Sequence, residues 1–144
     1  MKRFAAMMAI AALAGCAGTG DLRNVAGPDK VIYHINLGNE QASDGLRNIR
    51  NHLQANPQAR IVVVTHSLGI DFLMKDAKDR NGNPYNIPVE EFKQRGVRFE
   101  VCEIAMRSRK LTRSQFIEEA SFVPSGVGEI ARLQQREGYA YLKP

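Results

Sequence analysis

Tryptophan is absent from this 144-residue chain, and aromatic residues make up only 7% of it. That excludes a carbohydrate or single-strand nucleic-acid platform built on stacked rings. There are two cysteines and three histidines. None recurs at C-x-x-C or H-x-x-x-H spacing, so no metal site and no cofactor are expected. The net charge of +5 is mild and spread along the chain, too diffuse for a nucleic-acid footprint. No internal repeat or low-complexity tract is present. Nor does any apolar run approach the roughly 20 residues that a membrane-crossing helix needs; Phe4 to Leu13 covers about half of that.

What is present at that end is specific. Lys2 and Arg3 precede the apolar run, and Leu13-Ala14-Gly15-Cys16 closes it. A basic start, an apolar middle and small residues at the cut are the layout of a secretory signal segment. An ordinary signal peptide shares the first two features, but the Leu-Ala-Gly-Cys ending resembles the lipobox of bacterial lipoproteins. That resemblance implies a signal peptide over residues 1–15 and lipidation of Cys16. It also implies an exported protein on the bacterial envelope, facing the periplasm. Ala17 after the cysteine favours the outer membrane. Several acyl chains hold a protein on a membrane stably, whereas one is marginal.

Removal of residues 1–15 leaves 129 residues, the size of one compact domain. Ala17 to Asp29 are small, polar and glycine-bearing, so residues 16–29 read as a lipidated cysteine and flexible tether, and 30–144 as the domain. If lipid consumes Cys16, Cys102 has no intramolecular partner in a compartment that normally pairs thiols. It is then inert and buried, bridged to another chain, or reactive.

Within the domain, Lys30 to Asn36 is β-branched and aromatic and reads as a strand. Ala42, Leu46, Ile49 and Leu53 recur at helical spacing before Pro57. Ile61-Val62-Val63-Val64 is a continuous apolar run, as in a parallel strand buried on both faces. A short helix is predicted over Ile70 to Lys75 and another from Pro88 to Arg95, with Gly96 past its end. Val97, Phe99 and Val101 alternate with Arg98, Glu100 and Cys102, predicting a strand to Ile104 with the thiol on its polar phase. A basic stretch (Arg107, Arg109, Lys110, Arg113) leads to a predicted short helix over Ser114 to Glu119 and a strand over Ser121 to Val123. Pro124-Ser125-Gly126 opens a helix that Gly138 stops, and Tyr139 to Leu142 is a last strand.

Strands alternating with helices imply an α/β fold, three layers with a mostly parallel five-stranded sheet. Ligands gather where the carboxyl ends of such strands open into loops. Four loops meet there: Asn36 to Asn39, His66 to Gly69, Cys102 to Arg107 and Pro124 to Gly126. His34 and His66 lie near the ends of their strands. The basic run is either a solvated helix face or an electropositive rim that favours thiolate.

Thr65-His66-Ser67-Leu68-Gly69 invites comparison with the Gly-x-Ser-x-Gly elbow of hydrolases. Thr65 occupies the first glycine position, and no histidine follows Ser67 to complete a serine, acid, histidine order. The chain is not a serine hydrolase.

Taken together, the β-α-β opening, Val62-Val63-Val64-Thr65-His66-Ser67-Leu68-Gly69-Ile70-Asp71-Phe72-Leu73, the strand ending in Cys102, and the tail from Val123-Pro124-Ser125-Gly126 to Gly138-Tyr139-Ala140-Tyr141-Leu142-Lys143-Pro144 resemble the DsrE/DsrF-like sulfur-relay family. The resemblance implies a DsrE-like three-layer domain that assembles as a homotrimer or hexamer. It also implies sulfane sulfur carried as a persulfide on one cysteine, which maps onto Cys102, between a donor and an acceptor protein. His66, Ser67, Arg107, Ser125 and Gly126 are the candidates to shape its pocket. In place of the Asn-Thr-Leu segment that follows the cysteine in many relatives, this chain has Ile104-Ala105-Met106. The alternative expectation is a non-catalytic lipoprotein that binds a small ligand or serves as an oligomeric interaction module.

Overall fold

The computed structural model describes residues 27–144. The expected signal segment, Cys16 and most of the expected tether lie outside the described residues. Asp29, expected at the end of the tether, packs with the domain: it accepts hydrogen bonds from His52 (3.2 Å) and Asn56 (2.7 Å), and its carbonyl accepts from the Arg60 amide at 2.6 Å.

Five strands form one sheet: β1 (Lys30–Ile35), β2 (Arg60–Thr65), β3 (Arg98–Cys102), β4 (Ala120–Val123) and β5 (Ala140–Leu142). Their spatial order is β4-β3-β2-β1-β5, and every pair is parallel. Parallel neighbours need crossovers, and four helices supply them: α1 (Asn39–Ala55), α2 (Asn86–Gln94), α3 (Glu103–Ser108) and α4 (Gly126–Glu137). The chain builds from β1 toward β4, then α4 carries it back across the sheet to pair β5 with β1.

The two faces of the sheet are covered unequally. Tyr33, Ile35, Val63, Phe99 and Val101 pack into the main core with Leu46, Ile49 and Leu53 of α1 and with Val89 and Phe92 of α2. Ile32, Val62 and Val64 point the other way, into a smaller cluster with Ile130 and Leu133 of α4 and Tyr139. Full burial of one such side chain stabilises the fold by roughly 1.5–3 kcal/mol. Parallel strands sandwiched this way lose the in–out alternation, which is why Ile61 to Val64 reads as an uninterrupted run.

The expected parallel α/β sheet is present, and three local expectations are corrected. The third strand stops at Cys102, and Glu103 to Ser108 is helix, so Ile104 lies on α3 instead of extending the strand. Ala105 and Met106 are buried and Ile104 is half-exposed. The alternation holds only to Val101: Glu103 falls on the apolar phase and Ile104 on the polar one, and this inversion coincides with the switch to helix. The predicted helix over 114–119 shrinks to one 3₁₀ turn, Arg113–Gln115, capped reciprocally by Thr112 and Gln115. The predicted helix over 70–75 is a 3₁₀ segment that begins earlier, Ser67–Leu73.

Candidate functional site

Strand register decides which side chains share the carboxyl edge. Val64 pairs with His34 on one side and Glu100 on the other. Side chains repeat every two residues along a strand, so His66 and Cys102 come next on that same face as lateral neighbours. This is the face that α4 covers. Cys102 does sit on the polar phase of β3, but that phase is not exposed: Glu100 and Cys102 are 6% and 5% accessible. The helix, not solvent, meets them.

The start of α4 comes close because residue 126 is glycine. A Cβ there would lie 3.1 Å from the Thr65 carbonyl oxygen, 3.2 Å from Cys102 Cβ and 3.3 Å from His66 Cβ. Ser125 caps the helix, its hydroxyl accepting from the Gly128 amide at 3.2 Å. The remaining first-turn amides give that end a positive character.

Around this point opens a cavity of about 420 Å³. Its polar lining includes His66, Ser67, Cys102, Ser125 and Arg109; Leu68, Ile104 and Val127 form an apolar rim, each more than half exposed. Ser67 holds a left-handed backbone (φ 55°) as the chain leaves β2, a costly conformation for a residue with a Cβ.

Five of the sequence-predicted residues are brought together here: His66, Ser67, Cys102 and Ser125 line the cavity, and Gly126 seats the helix against it. Arg107 does not belong to the lining; it is exposed on α3. The basic run divides instead. Arg109 lines the cavity and is fixed by Asp71 at 2.6 Å and the Ser67 carbonyl at 3.2 Å. Arg113 pairs with Glu103 and lies over the Phe122 ring. Arg107 and Lys110 are solvated.

Sequence reasoning missed the groups behind His66. His34 Nε2 lies 2.7 Å from His66 Nε2, and His34 Nδ1 lies 2.6 Å from the Tyr141 hydroxyl. Burial pushes the His34 pKa down to about 4, and the charges of His66 and Lys143 push the same way. His66 is also lowered, by burial and then by Lys143. Both rings are neutral at pH 7. The signal was in part available, since the sequence places His34 and His66 at strand ends, but Tyr141 could join them only once β5 was known to pair with β1. Among the described residues, no group of three or more His, Cys, Asp or Glu is placed to hold a metal ion. No described helix is long and apolar enough to cross a membrane.

The fold is shared with solved structures. A protein of unknown function from Methanobacterium thermoautotrophicum, MTH1491, is 32% identical and superposes with a TM-score of 0.70 over 81% of this chain and 99% of its own. The YchN protein of E. coli has the same fold at 14% identity, with a TM-score of 0.67 and the same two coverages. No functionally curated protein matches the chain. The family model described as DsrE/DsrF-like matches residues 29–144, the whole of the domain built above. This chain belongs to the DsrE/DsrF-like family.

Proposed function

We propose that Cys102 accepts and passes on sulfane sulfur, on a domain that lipid at Cys16 holds to the outside of a bacterial membrane. The observation that carries the reading is the position of the thiol. It ends a central strand at the carboxyl edge, in a cavity shared with His66 and the capped start of α4. Membership of a family generally associated with sulfur relay supports it.

The chemistry needs no oxidant. The Cys102 thiolate attacks the outer sulfur of a persulfide R–S–SH, forming a new S–S bond as the old one breaks. The pair of electrons leaves with R–S⁻, which takes the proton that Cys102 gave up. The products are Cys102–S–SH and R–SH. Transfer onward repeats the step with an acceptor thiol attacking the outer sulfur. The start of α4 and the Arg109 guanidinium stand around the cavity in which this exchange takes place.

The apolar rim of Leu68, Ile104 and Val127 suits a protein surface better than water, which fits a donor or acceptor protein or a trimeric or hexameric assembly meeting at this edge. An exported domain would draw these partners from the periplasm.

Intact mass of the full chain, before and after exposure to a sulfane-sulfur donor, tests the reading. The expected result is a gain of one sulfur atom that reductant removes and that Cys102→Ala lacks. No gain, with Cys102 also closed to alkylation until the protein unfolds, would leave a non-catalytic binding or assembly module. For the anchor, Cys16→Ser is expected to leave the precursor unprocessed or release the protein from membranes; wild-type protein found free in the cytosol would refute it.

A further inference from the structure

Three strands bring Tyr141, His34 and His66 into one line of hydrogen bonds, with contacts of 2.6 Å and 2.7 Å. Two neutral imidazoles that meet through Nε2 atoms must hold one proton between them, because each neutral ring has one donor nitrogen and one acceptor. Their tautomers are therefore coupled. When His66 keeps its proton on Nε2, its Nδ1 is a lone pair, and His34 carries its own proton on Nδ1 and donates to the Tyr141 oxygen. When the Tyr141 hydroxyl donates to His34 Nδ1 instead, His34 is protonated on Nε2 and His66 on Nδ1. A hydroxyl serves either way. His66 Nδ1 makes no hydrogen bond among the described residues, and His66 lines the cavity beside Cys102.

We infer that Tyr141, His34 and His66 form a proton relay between the Cys102 cavity and solvent, in which His66 exchanges the proton with sulfur and His34 and Tyr141 are positioning residues behind it. The inference rests on Cys102 being the reacting sulfur, as proposed above. The ends of the line are suited to it. Cys102 is 5% accessible and His34 8%, whereas Tyr141 is 40% exposed.

The steps balance. The Cys102 thiol gives its proton to His66 Nδ1. The His66 Nε2 proton moves to His34 Nε2, the His34 Nδ1 proton moves to the Tyr141 oxygen, and the former hydroxyl proton leaves to water. One proton enters, one leaves, and neither ring keeps a charge. The reverse passage protonates the departing R–S⁻. A route behind the sheet edge matters because whatever reacts with this buried sulfur, protein donor or small alkylating reagent, stands in the cavity mouth and closes the direct path to water.

The surrounding charges agree with transfer through neutral rings. Lys143 follows β5 and acts on both histidines. Arg109, after α3, lines the cavity and is paired with Asp71, and Glu100 lies two residues before Cys102 on β3. At the start of α4, the capping Ser125 and Val127 line the cavity, and neither is charged.

Tyr141→Phe in the full chain tests the relay, because the residue is exposed and the change removes only its hydroxyl. Two quantities are read: the rate of Cys102 alkylation by iodoacetamide from pH 5 to 9, and the tautomers of His66 from long-range proton–nitrogen spectra. The substitution is expected to slow alkylation at pH 7 by about fivefold and to shift the His66 nitrogens, one ring beyond the lost contact; His66→Gln should slow it by about 100-fold. A folded Tyr141→Phe protein with wild-type rates and unchanged His66 nitrogens overturns the relay. Sulfur uptake, measured on the same samples, separates the two readings. Uptake with rates indifferent to Tyr141 and His66 keeps the carrier and removes the relay; rates that respond without any uptake keep the relay and remove the carrier.

Discussion

Gly69 packs directly on the carbonyl of Ile35. A Cβ on residue 69 would lie 2.0 Å from that oxygen and 2.4 Å from its carbon, so the 3₁₀ segment after β2 touches the end of β1 backbone to backbone. This contact accounts for the last glycine of the His-Ser-Leu-Gly sequence without any hydrolase chemistry. Gly69→Ala must push two backbones apart, and overpacking of a rigid site costs about 1–3 kcal/mol or more. The variant is expected to unfold at markedly lower urea concentration than wild type; an unchanged midpoint would show that the loop yields freely.

Gly126 is the gentler counterpart. Its Cβ would meet the Thr65 carbonyl, Cys102 Cβ and His66 Cβ at 3.1–3.3 Å, distances that a few tenths of an ångström of movement relieve. The movement open to it is a lift of α4 away from the thiol. Gly126→Ala is therefore expected to cost only about 1–2 kcal/mol yet to change the alkylation rate of Cys102 more than its stability suggests. Equal thiol reactivity in the two proteins would mean that the helix start does not govern access.

Gln41 fixes the neighbouring loop. Its side-chain oxygen accepts from the amides of Asn36 and Leu37, both at 2.8 Å, while its nitrogen donates to the carbonyls of His34 (3.2 Å) and Pro144 (3.0 Å). Removing one partner of a buried polar group costs about 1–3 kcal/mol. Gln41→Leu strips all four contacts and is expected to lose about 3 kcal/mol and the hydrogen-exchange protection of the Asn36 and Leu37 amides. Gln41→Glu keeps both acceptor contacts, so it should retain that protection; loss in both variants would point to packing as the cause.

How much of this was legible in the sequence depends on the range of the interaction. The sheet was readable because Val31 to Ile35, Ile61 to Val64 and Phe99 to Val101 carry their strand signal locally, and the edge loops follow from parallel topology. The switch from strand to helix after Cys102 was legible only as a broken alternation, with Glu103 on the apolar phase and Ile104 on the polar one; the break does not specify a helix, whose inward residues Ala105 and Met106 are set by tertiary packing. Within the basic stretch, spacing could not distinguish Arg107 from Arg109; the choice is made by Asp71, far away in sequence. The same holds for His34 and Tyr141, which are 107 residues apart and meet only because the last strand crosses to the opposite side of β1.

The buried histidines give stability a definite dependence on pH. His34 has a pKa of about 4 in the fold against an ordinary value of 6.5, so the unfolded chain binds the proton first. Stability from this group is fully present above pH 6.5 and is lost as pH falls toward 4. The loss is on the order of 2–3 kcal/mol, and His66, shifted the same way, adds to it. Glu100 works in the opposite sense, because burial raises its pKa and protonation relieves its desolvation in the folded state. The lowered carboxyls of Asp29 and Asp79 have their effect below pH 4. A difference experiment isolates the histidine: urea unfolding of wild type and His34→Gln at pH 8, 6.5, 5.5 and 4.5. The free-energy gap between the two proteins is expected to be constant from pH 8 to 6.5 and to shift steadily in favour of the variant below that. A gap that stays flat throughout would mean that His34 takes up its proton as readily in the fold as outside it.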